Sequence, residues 1–167
     1  SVQPGIEVDA DTEITVTAGA TQAIFTVLST VLGPGDQAIL FDPSYDCYAP
    51  GVTAQGAQAV RIALRAPDFA IDWDEVESRI TPNTRLIFIN NPNNPSTSVF
   101  SAADLDALAS LADKYDLIVL SDEVYEHVVF DGRSHHSVLA HPQLRARSFV
   151  TYSFGKTFHI TGWKLGY

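Results

Sequence analysis

The sequence predicts an α/β protein: a three-layer α/β/α arrangement around a mostly parallel, seven-stranded sheet. Three observations carry that prediction. Apolar, β-branched runs alternate with segments of helical periodicity along the whole chain. Several of the runs are apolar almost without interruption, Leu117-Ile118-Val119-Leu120 above all. Strands of that kind are covered on both faces, as in parallel sheets flanked by helices. Finally, the polar residues that need an explanation fall just after the strands, where open α/β sheets bind ligands.

The elements follow in order. Ile14-Thr15-Val16-Thr17 reads as a β-branched strand. After Gly19-Ala20-Thr21, a helix carries Ile24, Val27, Leu28, Val31 and Leu32 at helical spacing, and Gly33-Pro34-Gly35 stops it. Ala38 to Phe41 is the second strand, closing at Asp42-Pro43-Ser44-Tyr45, and Ala59 to Leu64 is the third. Asp72 with Glu75 forms a capping-box pattern for a short helix. Arg85 to Asn90 is a strand of the buried type. Ser101 with Asp104 opens a helix bearing Leu105, Leu108, Ala109, Ala112 and Tyr115. Leu117 to Leu120, Ser148 to Tyr152 and Trp163 to Tyr167 complete the seven strands, with Trp163 and Tyr167 expected to pack in the last.

Composition bounds the function. The 167 residues suffice for one domain, taken as 1–167, with a sizeable core. A formal charge of −10 argues against a nucleic-acid surface. No apolar run approaches the roughly 20 residues that cross a bilayer, and no signal peptide is visible. Ser1 is not a natural start residue, so an upstream segment is allowed for. The lone Cys47 cannot form an internal disulfide, which suits a reducing cytoplasm and a packing role. His127, His135, His136, His141 and His159 lack metal-ligand spacing and read as ordinary loop or surface residues, so no metal site is expected.

Chemistry concentrates in a few segments. Gly155-Lys156-Thr157 has the tail of a phosphate-binding P-loop, but the required earlier glycine is Val150, so that reading fails. Taken alone, Lys156 could be a solvated loop charge. Asp122 could be a cap, and the Asn90-to-Pro95 run a turn. Together, and in this order, the segments resemble the fold-type I (class I/II) aminotransferases that use pyridoxal 5′-phosphate (PLP). The resemblance is strongest to the branch holding the methionine and kynurenine–glutamine aminotransferases. It rests on Thr17-Ala-Gly-Ala-Thr-Gln22, Asp42-Pro-Ser-Tyr-Asp-Cys-Tyr-Ala-Pro50, Ser121-Asp-Glu-Val-Tyr-Glu-His127, Ser137-Val-Leu-Ala-His-Pro-Gln-Leu-Arg145 and the run from Ser153 to Tyr167. Pro95-Ser96-Thr97 departs from the commoner Pro-Thr-Gly and favours the methionine subgroup.

The resemblance implies roles. Lys156 matches the Schiff-base lysine and proton shuttle, and Asp122 the carboxylate paired with the pyridine nitrogen. Tyr125 and Asn94 match the partners of the phenolic oxygen, and Tyr45 the aromatic that stacks on the ring. Gly19, Ala20, Thr21, Ser153 and Lys164 match the phosphate cradle at a helix N-terminus; many relatives carry Arg at the Lys164 position. Asn94-Pro95 and Asp42-Pro43 are expected to be cis, the last strand antiparallel, and the parent a homodimer acting on amino acids and 2-oxo acids. The small domain, the N-terminal segment and the arginine that reads the substrate carboxylate have no counterpart here. Three alternatives stay open: a PLP-dependent carbon–sulfur lyase, a non-catalytic effector domain, and an inactive truncated remnant.

Overall fold

The structure, a computed structural model, describes residues 6–167. Its sheet has five strands, all parallel, in the order β2-β1-β3-β4-β5. These are β1 (Gln37–Asp42), β2 (Gln58–Ala63), β3 (Thr84–Asn90), β4 (Ile118–Asp122) and β5 (Ser148–Thr151). The chain adds β2 on one side of β1 and then crosses to add β3, β4 and β5 on the other. That reversal opens a crevice beyond the carboxyl ends of β1 and β3.

Five regular strands correct the expected seven. Ile14–Thr17 and Trp163–Tyr167 are extended in part, but each joins only through isolated antiparallel bridges, Thr17 to Gly166 and Ser153 to Gly166. Local β-propensity favours extended backbone there, but a strand also needs a partner over several residues. The pairing at Gly166 is antiparallel, in the sense expected. Trp163 does not pack: it lies in a 3₁₀ turn (Thr161–Trp163) and is 76% exposed. Tyr167 does pack, stacked on Tyr152 with ring centroids 5.1 Å apart.

Helices cover both faces. They are α1 (Ala20–Val31), α2 (Tyr48–Thr53), α3 (Trp73–Ser78), α4 (Ala102–Lys114), α5 (Pro142–Arg145) and α6 (Phe154–Thr157). Strand alternation assigns the two cores. Ala38, Leu40, Leu86, Phe88 and Leu120 pack with Ile24 and Leu28 of α1 and Tyr48 and Val52 of α2. Ile39, Ile87, Ile89 and Val119 face the other way, onto Val76 of α3 and Leu105, Leu108 and Ala112 of α4. This is the three-layer arrangement.

Capping follows the sequence with one difference. Ser101 and Asp104 form a reciprocal capping box on α4. Asp72 caps α3 by accepting from the Asp74 and Glu75 amides, without the reciprocal bond expected of Glu75. Helix α2 was not read from the sequence because Pro50 and Gly51 lie inside it. Pro50 falls in the first turn, where its missing N–H costs nothing. Gly51 lets α2 approach α1, since a Cβ there would stand 2.8 Å from Leu28 Cδ1. The Asp42-Pro43 and Asn94-Pro95 bonds are cis, as are Ala66-Pro67 and Asn91-Pro92.

Candidate active site

All ten residues singled out from the sequence line one cavity of about 470 Å³ at the carboxyl edge of the sheet. They arrive on six different segments. Gly19, Ala20 and Thr21 form the start of α1, and Tyr45 follows β1. Asn94 follows β3. Asp122 ends β4, and Tyr125 lies in the turn beyond it. Ser153 and Lys156 follow β5, and Lys164 closes the last 3₁₀ turn. The volume is within the ordinary range for a small-molecule site, about 300–1,000 Å³.

Asp122 is the buried centre of the cavity, 5% exposed. Its Oδ2 accepts from the Tyr48 hydroxyl at 2.6 Å. Its Oδ1 accepts from the Val124 amide at 3.3 Å and the Thr151 hydroxyl at 3.4 Å. None of these donors is a cation. Burial dominates, and the carboxyl is pushed up to about 6 from 3.8, against the pull of those three hydrogen bonds. Tyr48 shares the effect: burial first, then the Asp122 charge, raises its phenol far above the ordinary value.

Tyr48 is a site residue that the sequence reading missed. The available signal was spacing: Tyr45 and Tyr48 stand three apart at the start of a helix, with rings edge to face at 5.9 Å. Tyr48 turns inward over Phe88 at 4.1 Å, while Tyr45 is 44% exposed at the cavity mouth.

Asparagines brace the opposite wall. The Asn90 side chain donates to the Asp122 carbonyl at 2.8 Å and accepts from the Asn94 amide at 2.7 Å. Asn94 Nδ2 then reaches the Tyr125 hydroxyl at 3.4 Å. The Asn-rich run is thus a scaffold that ties β3 to β4. Lys156 Nζ lies 5.5 Å from the Tyr125 ring centroid, with its side chain open to the cavity.

At the far end, α1 begins at Gly19 with φ 82°, a backbone shape that favours glycine. No side chain caps this helix. The Gln22 and Ala23 amides donate to the Gly19 carbonyl, and those of Ala20 and Thr21 are left for a ligand or water. Gly166 crosses directly beneath: a Cβ there would stand 2.7 Å from the Ala20 nitrogen and 2.8 Å from the Tyr152 carbonyl oxygen.

Two expectations outside the cavity need revision or detail. His135 is not a surface histidine. Its side chain is 4% exposed and its Nε2 lies 3.0 Å from Oε2 of the fully buried Glu123. Cys47 is half-buried, and its thiol is raised to about 11 by burial and then by the Asp122 charge, as suits a packing residue.

The family model for aminotransferase class I and II matches residues 2–167. The chain belongs to the class I and II aminotransferases. Among curated relatives of this family, Escherichia coli methionine aminotransferase is 48% identical over 163 residues, covering 98% of this chain and 42% of that one. Human kynurenine–oxoglutarate transaminase 3 is 38% identical, covering 96% of this chain and 38% of its own length. The solved E. coli structure assigned a methionine aminotransferase function superposes with a TM-score of 0.94, at 48% identity, over 97% of this chain and 43% of that one. N-succinyldiaminopimelate aminotransferase from Mycobacterium tuberculosis gives 0.93 at 41% identity, over 97% of this chain and 43% of that one. The chain spans about two fifths of the length of these relatives.

Proposed function

We propose that this chain is the PLP-holding core of an aminotransferase that moves an amino group from an α-amino acid to a 2-oxo acid. Methionine or an aromatic amino acid is the favoured donor. The carrying observation is the convergence of Asp122, Lys156 and the uncapped start of α1 on one cavity.

The residues present fit the cofactor. A dianionic phosphate suits the free amides of Ala20 and Thr21 after Gly19, the hydroxyls of Thr21 and Ser153, and the Lys164 ammonium. Tyr45 offers an aromatic face at the mouth. Asn94 and Tyr125, already in contact, offer polar hydrogens for a phenolic oxygen. Asp122 has a lone pair left: Oδ1 already accepts two donors, whereas Oδ2 accepts only Tyr48. Oδ2 is therefore the atom that would hold the proton on a ring nitrogen.

When bound, PLP supplies an electron sink for the charge that develops at the substrate Cα. The chain's own residues do the rest. Lys156 would hold the cofactor and would serve as the base that carries a proton to and from the substrate Cα. Asp122, itself buried, would keep the proton on the ring nitrogen in place. Tyr48 fixes the orientation of that carboxylate.

The E. coli relative's name supports methionine as donor, and the kynurenine and aromatic relatives support aromatic donors. We extend the proposal to a cytoplasmic, homodimeric parent enzyme; the single cysteine suits a reducing compartment.

The test is borohydride reduction of the chain with PLP, followed by peptide mapping. The expected result is one adduct, on Lys156, lost in Lys156→Ala and outcompeted by inorganic phosphate. Adducts spread over several lysines, or none, overturn the proposal.

A further inference from the structure

Glu123 is a fully buried carboxylate that the chemistry above does not use. It follows Asp122 directly, and its side chain lies on the Ser121 side of β4. All four of its acceptor directions are occupied. Oε1 accepts from the Ser121 hydroxyl at 3.0 Å and the Val138 amide at 3.1 Å. Oε2 accepts from the Tyr152 hydroxyl at 3.0 Å and meets His135 Nε2 at 3.0 Å. One side chain thus joins β4, the residue after β5, the 3₁₀ turn at Val138–Ala140 and the loop that precedes it. Two of the joined residues, Glu123 itself and Tyr152, are chain neighbours of Asp122 and Ser153.

A neutral glutamine could make most of these bonds. What glutamine cannot supply is charge, and the ionisable partner is the point of difference. Asp122 has no cation in contact, yet carries a second carboxylate as its next residue. Two buried carboxylates side by side oppose each other's ionisation. A cation on Glu123 relieves that opposition, and the buried His135 is placed to be one.

We propose that Glu123 is a positioning residue for the cofactor site, and that its pair with His135 allows Asp122 and Glu123 to be ionised together. This rests on the reading of Asp122 as the ring-nitrogen partner. Other titratable groups near the pair are Tyr152, which feels the Glu123 and Glu126 charges, and Glu126, which faces His127 and His135. Tyr48 and Cys47 face Asp122 from α2 and its N-cap.

The experiment follows the Asp122 side-chain carbon by NMR in the cofactor-free chain labelled at aspartate, assigned with Asp122→Asn and titrated with pH. Glu123→Gln is expected to move the Asp122 midpoint down by about one pH unit, the low end for a neighbouring charge. His135→Asn is expected to move it up. In the unmodified chain, the Asp122 signal should also show a step at the His135 midpoint, since coupled groups titrate together. Shifts of the same sign in the two variants, or no shift in either, overturn the proposal. If either variant fails to fold, absence of the His135 step in the unmodified chain overturns it on its own. None of these readouts needs PLP, so failure of the Lys156 adduct would sink the proposed function and leave this result standing.

Discussion

Replacing Asp122 by Asn should make the cofactor-free chain more stable at neutral pH while weakening its hold on PLP. The carboxyl is raised from 3.8 to about 6 chiefly by burial. A raised carboxyl contributes stability below its unfolded value, and that contribution is lost as pH climbs through its folded value. The gap corresponds to about 3 kcal/mol above both values. Asn can keep the geometry: its oxygen accepts from the Val124 amide and its NH₂ donates to the Tyr48 oxygen. The predicted gain near pH 7.5 is therefore up to about 3 kcal/mol, shrinking toward zero near pH 4. Urea unfolding of both proteins at several pH values measures it. The same substitution removes the partner of a ring-nitrogen charge, a loss on the order of 3–5 kcal/mol in PLP binding, read by absorbance titration. An Asn variant that is less stable than the parent at pH 7.5 but equal to it near pH 4 would refute the reasoning. Ionised Asp122 would then be a net stabiliser, and burial would not dominate its environment.

Three further outcomes are expected. Tyr48→Phe leaves Asp122 Oδ2 without its 2.6 Å donor. It should cost about 1–3 kcal/mol at neutral pH and move the Asp122 midpoint up, by urea unfolding and NMR titration. Gly166→Ala drives a methyl into the start of α1. It should cost about 1–3 kcal/mol and abolish the protection that phosphate gives against PLP labelling. Leu108→Ala empties a fully buried position on the α4 face. It should cost about 2–5 kcal/mol and leave PLP affinity per folded molecule unchanged, which separates core loss from site loss.

The strands of the sheet interior were legible because both their faces are apolar; Leu86 to Ile89 shows this directly, with successive side chains entering opposite cores. Most of the ten cavity residues were legible because they fall at or just after strand-like runs in segments that resemble the family's; Lys164 was legible through the resemblance alone. What escaped depended on three-dimensional partners. Ile14 to Thr17 looks like a strand locally, and only the single Gly166 bridge shows how little pairing it receives. Tyr48 sits in a helix the sequence did not signal, and its role emerges only where its hydroxyl meets Asp122, 74 residues away in sequence. His135 looked like a loop residue until the buried Glu123 claimed it. Histidine spacing alone carries no information about a carboxylate that reaches it from another segment.

The crossing of Gly166 beneath α1 has a kinetic consequence. The proposed anion cradle is closed by hydrogen bonds between Thr17 and Gly166 in both directions, residues separated by nearly the entire sequence. Such a contact forms late, after the intervening sheet has been built, because loop closure must come first. A nascent or partly folded chain would therefore have a sheet and Asp122 in place while lacking an assembled phosphate seat. An anion captured there would act as a clasp between the first and last segments, slowing their fraying in proportion to its occupancy. Hydrogen exchange at the Thr17 and Gly166 amides, with and without phosphate, would register that clasp as a local gain in protection with the sheet interior unaffected.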